Sequence, residues 1–111
     1  MTFAEGSQLR KIGWSAFYNT GVEEVQIPAS VQTIGESAFY KCENLQRVTF
    51  AEGSKLHEIG WSAFYKTGIE EVQIPASVQS IGQSAFNYCH SLSSVVFAEG
   101  SQLKEIGGSA F

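Results

Sequence analysis

A six-residue motif, Ile-Gly-x-Ser-Ala-Phe, occurs five times in this chain of 111 residues and constrains its fold more than any other feature. The copies begin at Ile12, Ile34, Ile59, Ile81 and Ile106, so that short units of 22 residues alternate with long units of 25. A unit of this length buries its apolar residues only against its neighbours. We therefore expect a single repeat array over residues 1–111, without a unique chemical site.

Each unit contains a short segment in which apolar residues alternate with polar ones, as in residues 25–27 and 48–50. This alternation predicts a strand with one buried face. Pro28 or Pro75 ends the strand in short units, since proline has no N–H for a strand ladder, and Ala-Glu-Gly-Ser ends it in long units. We expect the strands of successive units to lie parallel and in register.

The second half of each unit is the motif itself. Its glycine predicts either a positive φ or a close approach of two backbones. The Ser-Ala-Phe that follows predicts a capping serine and one short helical or 3₁₀ turn. The phenylalanine should point inward and stack on its equivalents in neighbouring units. That column comprises Phe17, Phe39, Phe64, Phe86 and Phe111.

Composition excludes several classes of protein. The 43% of hydrophobic and 16% of charged residues are typical of a folded chain. With a net charge of −4 and only scattered Lys and Arg, the chain has no basic stripe for nucleic acid. No apolar run is long enough to cross a bilayer, and Met1 begins no leader segment. We expect neither a nucleic-acid partner nor membrane insertion, and no signal peptide in this chain.

The pattern Leu-x-x-Val-x-Ile-Pro-x-Ser-Val-x-x-Ile-Gly-x-Ser-Ala-Phe-x-x-Cys, shared in full or in part by the units, resembles the BspA type of leucine-rich repeat. This family is found in surface proteins of bacteria and protist parasites. The resemblance covers essentially the whole chain and implies a right-handed, mostly β solenoid with parallel strands on its concave side. It also implies surface display, with adhesion or protein binding. Anchor and recognisable end caps are missing, so a truncated or consensus-designed array stays an alternative.

The outward positions of the strands are the expected binding surface, because solenoids present such side chains on an extended face. They mix polar groups with charges of alternating sign, which suits a protein or glycan ligand of modest affinity, although a merely soluble sheet face is an equally simple interpretation. The residues are Glu24, Gln26, Arg47, Thr49, Glu71, Gln73, Ser94 and Val96.

Aromatic residues recur next to the motif and provide a second candidate surface: Trp14, Trp61, Tyr18 and Tyr65, with Tyr40 and Tyr88 in the neighbouring units. An exposed tryptophan at a repeated turn offers a large contact area at a small entropic cost. Packing between neighbouring turns is the simpler interpretation and the one we favour at this point.

Both ends of the array lack an evident polar cap, and Phe3 and Phe111 would lie on the outermost layers. Uncapped ends of a parallel stack can pair with further strands. End-to-end assembly into oligomers or filaments is therefore the alternative function, next to a non-enzymatic protein-interaction or adhesion module.

No residues predict catalysis or a cofactor, because every Ser and Glu belongs to a repeated column and unlike groups do not converge. Cys42 and Cys89 occupy equivalent places two units apart, roughly 10 Å at strand spacing, which is too far for a disulfide. We expect two buried thiols. His57 and His90 show no chelating spacing with them, so we predict no metal site.

Overall fold

The computed structural model describes residue 3 and residues 6–111. These residues form a β-solenoid of two parallel sheets, and each coil adds one strand to each sheet. The five-stranded sheet, in the order β1-β3-β5-β7-β9, contains β1 (Lys11–Ile12), β3 (Thr33–Ile34), β5 (Glu58–Ile59), β7 (Ser80–Ile81) and β9 (Glu105–Ile106). The four-stranded sheet, in the order β2-β4-β6-β8, contains β2 (Glu24–Ile27), β4 (Arg47–Phe50), β6 (Glu71–Ile74) and β8 (Ser94–Phe97). The predicted solenoid with parallel strands is confirmed.

The register between coils follows the sequence repeat. Ile12 pairs with Ile34, and that column continues through Ile59 and Ile81 to Ile106. Equivalent residues therefore stack on one another along the array. A one-residue slip would turn the buried side chains of a strand outward, so the apolar pattern holds this register.

The Ser-Ala-Phe segments differ from the expected helical or 3₁₀ turn. The described residues contain no helix, and the serines of all five motifs have positive φ, between 53° and 58°. The Ala16 amide donates to the Gly13 carbonyl within the coil, whereas the Phe17 amide donates to Ala38 of the next coil. Alternate amides thus close β-turns and bond along the stack, which a helix would not permit because its amides bond within the segment.

The motif glycines are explained by close backbone approach, which was one of the two expectations. A Cβ added at Gly35 would lie 2.8 Å from the backbone carbon of Gly13 and the carbonyl oxygen of Ile12. None of the motif glycines has a positive φ. A side chain at this position would push two coils apart, so glycine is required where one coil lies on another.

The core lies between the two sheets and the turns as continuous columns. Phenylalanine rings stack at centroid distances of 5.1 Å (Phe17 to Phe39), 5.2 Å (Phe39 to Phe64) and 5.4 Å (Phe86 to Phe111). The three central rings of this column are fully buried. The predicted phenylalanine column is confirmed, and its near-parallel stacking follows from identical residues repeating at the spacing of the coils.

Candidate binding surface

The outward side chains of the four-stranded sheet form one face, here called the front face. Along β2 and β6 exposed and buried residues alternate, so that Glu24 and Gln26 point outward while Val25 and Ile27 are buried. The structure places all the residues expected at outward strand positions on this face, and it leaves Val96 48% exposed. The front face comprises Glu24, Gln26, Arg47, Thr49, Glu71, Gln73, Ser94 and Val96.

Arg47 is the cation at the centre of the front face. It lies in register with Glu24 on one side and with Glu71 on the other. Its guanidinium Nη1 is 3.4 Å from the Glu24 carboxylate, and the two side chains are 72% and 64% exposed. An ion pair this exposed contributes little to stability, since water screens it. The guanidinium is therefore available to a ligand at small cost.

The front face is split by a cleft between β4 and β6. The pairs β2–β4 and β6–β8 each keep four residues in register, but β4 and β6 share only Arg47 with Glu71. Beyond that pair the strands separate around a cleft of 730 Å³. Thr49, Phe50, Gln73 and Pro75 are among the residues that line it.

The position of a proline explains why the two strands separate. In the other junctions the residue after the strand donates its amide to the preceding coil: Ala51 to the Ile27 carbonyl and Ala98 to the Ile74 carbonyl, both at 3.0 Å. The equivalent residue in the β4–β6 junction is Pro75, which has no N–H. The ladder consequently loses its last bond at this junction.

A serine side chain joins the coils beyond the cleft. Ser77 Oγ contacts the carbonyl oxygens of Ser54 and Leu56 at 3.2 and 2.6 Å. Ser30 makes the same contacts in the preceding short unit, with Ser7 and Leu9. The hydroxyl therefore replaces backbone amides in holding each short unit to the long unit before it.

The cleft was not predicted from the sequence, although its signal is present there. Only short units carry proline directly after the strand, so each junction from a long to a short unit lacks the donor that the other junctions have. Comparing the alternate units for missing amides would have identified the β4–β6 junction as the weak one.

The two tryptophans are exposed, which overturns the packing interpretation for them. Trp14 is 79% exposed and Trp61 60% exposed. The tyrosines behave differently: Tyr18 stacks on Tyr40 at 5.0 Å, and Tyr40 on Tyr65 at 4.7 Å. The tyrosine column thus packs between coils as expected. The tryptophans make no such stack among the residues that the structure describes.

Both cysteines are free thiols that bond to the coil before them. Cys42 Sγ lies 3.0 Å from the carbonyl oxygen of Phe17, and Cys89 Sγ lies 3.0 Å from that of Phe64. Cys42 is buried and Cys89 half-buried. Burial raises the pKa of the Cys89 thiol, and hydrogen bonds from Thr67 partly oppose this. These thiols hold adjacent coils together as well as filling space.

The first and last coils of the array, which form its two outermost layers, differ in how exposed their apolar residues are. Phe3 is half-buried against the core, whereas Phe111 is 49% and Ile106 50% exposed. On the opposite layer, a Cβ added at Gly13 would meet no atom within 4 Å. Positions that the internal coils bury are therefore exposed in both layers.

Residue 3 and residues 6–111 contain no group of three or more His, Cys, Asp or Glu placed to hold a metal ion. Within the same residues, no helix has the length and apolar character to cross a membrane.

The model of the BspA type leucine-rich repeat region matches residues 10–111 in six copies. The pneumococcal vaccine antigen PcpA is 39% identical in sequence, with a TM-score of 0.86, over 88% of this chain and 24% of its own. The leucine-rich repeat protein TpLRR from T. pallidum is 37% identical, with a TM-score of 0.84, over 93% of this chain and 47% of its own. A leucine-rich repeat protein from Bacteroides capillosus is 33% identical, with a TM-score of 0.72, over 81% of this chain and 64% of its own.

No curated protein matches the sequence. The chain spans between about a quarter and two thirds of the length of these three solved structures. The family model nevertheless covers nearly all of it, and the coils carry the parallel strands that the repeat pattern predicts. The chain belongs to the BspA-type leucine-rich repeat family.

Proposed function

We propose that this chain is a non-enzymatic protein-interaction module of a cell-surface protein, and that its front face binds the partner around Arg47 and the β4–β6 cleft. The observation that carries the proposal is the split in the front face. It places an exposed guanidinium beside a cleft of 730 Å³. An intact flat sheet would offer a partner only outward side chains.

Two observations support binding here. The cleft is lined by Thr49 and Gln73, whose side chains can form hydrogen bonds, and by Phe50, which is half-buried against the core. Interfaces depend on a few such anchors in pockets, with polar groups at the rim. The relative PcpA is described as a vaccine antigen, which fits display on a cell surface.

A panel of purified extracellular-matrix and serum proteins, immobilised for surface plasmon resonance, tests the proposal. Arg47→Glu should weaken the binding of a panel protein about tenfold, which corresponds to ~1.4 kcal/mol. Lys104→Glu makes the same charge change at an exposed residue outside the front face and should leave binding unchanged. Equal weakening by the two variants, or the absence of binding throughout the panel, would reject the front face as the binding surface.

Assembly with a second copy of this chain is the second candidate function. It is favoured by the exposed apolar layer that holds Ile106 and Phe111, together with the open space at Gly13 on the other layer. Each internal coil buries these same positions against its neighbour. A second copy stacked head to tail would cover both layers.

Light scattering over a wide concentration range distinguishes assembly from a monomer. If copies stack, the mass should rise with concentration, and Gly13→Val should abolish the rise because its side chain would meet the added coil. Gly108→Val is the matched control and should leave the rise in mass unchanged. It adds the same side chain on the outer turn, where a Cβ also meets no atom within 4 Å. A monomer at every concentration would reject assembly.

A further inference from the structure

The exposed tryptophans form a ridge on the turns that the protein-binding proposal does not use. The ridge is defined by the residue after each of the first four motif glycines: Trp14, Glu36, Trp61 and Gln83 on successive coils. Each side chain is exposed. The order along the ridge is therefore aromatic ring, carboxylate, aromatic ring, amide.

The backbone holds these side chains at fixed intervals. In the first coil, Trp14 is the second residue of a β-turn that the Ala16 amide closes onto the Gly13 carbonyl, and Ser15 is the third, with φ of 54°. The Ser15 amide then donates to the Glu36 carbonyl of the next coil at 2.9 Å. The backbone of the ridge is thus bonded coil to coil, which fixes the spacing of the positions that carry its side chains.

The spacing of the two tryptophans follows from the coil repeat. Strands in register lie about 4.8 Å apart, so positions two coils apart are separated by about 10 Å. The phenylalanine column in the core has nearly the same spacing between adjacent coils: successive ring centroids over these coils lie 5.1 Å and 5.2 Å apart. The first and third coils therefore present aromatic rings two steps apart, and the fifth coil has Gly108 at this position.

We infer that the ridge binds an extended, neutral β-1,4-linked glycan, with one sugar ring on each tryptophan. Successive sugars of such a chain are turned over relative to each other, so the same face recurs at every second sugar. Two sugar rings in an extended chain span about the separation of the two tryptophans. The repeat of the ligand thus matches the repeat of the coils.

The chemistry of the ridge also fits a sugar better than a protein surface. The C–H face of a sugar ring is apolar and packs on the π face of an indole, whereas its edge carries hydroxyls. Glu36 and Gln83 lie where hydroxyls would need acceptors and donors. Hot spots of protein interfaces, in contrast, generally cluster near the centre of the interface. The net charge of −4 disfavours an acidic glycan.

Tryptophan fluorescence tests this inference directly, because the chain has two tryptophans and both lie on the ridge. The probes are cellohexaose and the hexamer of N-acetylglucosamine, with their dimers for length, since a dimer cannot reach both tryptophans, and maltohexaose for linkage. At least one β-linked hexamer should bind, with the dimers and maltohexaose at least about tenfold weaker. In calorimetry, Trp14→Ala and Trp61→Ala should each weaken binding about tenfold, or ~1.4 kcal/mol.

A spacing swap provides the matched control. The double variant Glu36→Trp with Trp61→Glu keeps two tryptophans and the charge but places the rings on adjacent coils, about 5 Å apart. It should lose binding as strongly as Trp61→Ala. Because all these positions are exposed, circular dichroism and urea midpoints should match wild type.

Three results would overturn the inference: no response to either β-linked hexamer, unchanged affinity in the tryptophan variants, or full affinity in the spacing swap. Arg47→Glu separates this site from the front face and should leave glycan binding unchanged. If it weakens the hexamer as much as Trp14→Ala does, the glycan lies on the front face and the ridge assignment is wrong.

Discussion

A Cβ placed on Gly60 would lie 2.9 Å from the carbonyl carbon of Gly35, on the coil directly before it. The same construction at Gly13 meets no atom within 4 Å. We therefore expect Gly60→Ala to destabilise the protein by about 2 kcal/mol or more, because two backbones must separate. Gly13→Ala should be neutral or stabilising by up to about 1 kcal/mol. Urea unfolding of both variants checks this, and equal midpoints would contradict the close packing of the glycine column.

The phenylalanine column predicts a gradient of stability along the array. Phe64 is fully buried between two rings, whereas Phe111 has one ring neighbour and is half exposed. Phe64→Leu should cost about 1–2 kcal/mol through imperfect packing. Phe111→Leu should cost less than about 0.5 kcal/mol. Thermal and urea unfolding measure both, and a larger loss for Phe111→Leu would show that the last layer is covered in solution.

The cleft predicts uneven protection of backbone amides. Gln73 lies beyond the last register pair between β4 and β6, while Thr49 lies within the full ladder between β2 and β4. We expect the Gln73 amide to exchange with solvent at least about tenfold faster than the Thr49 amide. Hydrogen exchange followed by NMR measures the two rates. Similar protection would mean that the cleft is closed in solution.

The Cys89 thiol predicts a loss of stability at alkaline pH. Burial raises the pKa of this thiol in the folded state. The unfolded thiol ionises at about pH 8.5, so above that pH the folded state holds more protons and stability falls as pH rises. The loss is at most about 1.4 kcal/mol per pH unit. Below pH 8 this contribution is fully present.

Cys89→Ala is the control for the alkaline loss. The pKa of Tyr65 is also raised, but the variant keeps that tyrosine, so the difference between the two pH profiles isolates the thiol. Urea unfolding between pH 7 and pH 10 should show a shallower decline in the variant. Parallel profiles would mean that the thiol does not carry the effect.

Much of the fold follows from the repeated sequence alone. Once Ile12 and Ile34 are recognised as equivalent, parallel register and the phenylalanine column follow, since identical units bury their apolar faces only by stacking. The turns were harder to predict: Ser15 precedes a helix-like Ala-Phe pair, yet its positive φ arises because alternate amides bond to the next coil. Local propensity contains no information on that competing hydrogen bond.

The front face was also predictable, because outward positions follow directly from strand alternation. The cleft was missed, because its signal, the absence of an N–H at Pro75, matters only through a hydrogen bond to another coil and emerges only when alternate units are compared. The exposure of Trp14 could not be predicted from the sequence. A residue after the motif glycine could lie on a neighbouring coil or project from it, and only the geometry of the turn distinguishes the two.

Photo-crosslinking locates the bound protein most directly. A photoreactive residue at Thr49 lies on the front face at the cleft, and one at Glu58 is equally exposed on the five-stranded sheet of the same unit. With a panel protein that binds the chain, we predict crosslinks from position 49 and none from position 58. Crosslinks from position 58 alone, or equally from both, would contradict binding through the front face.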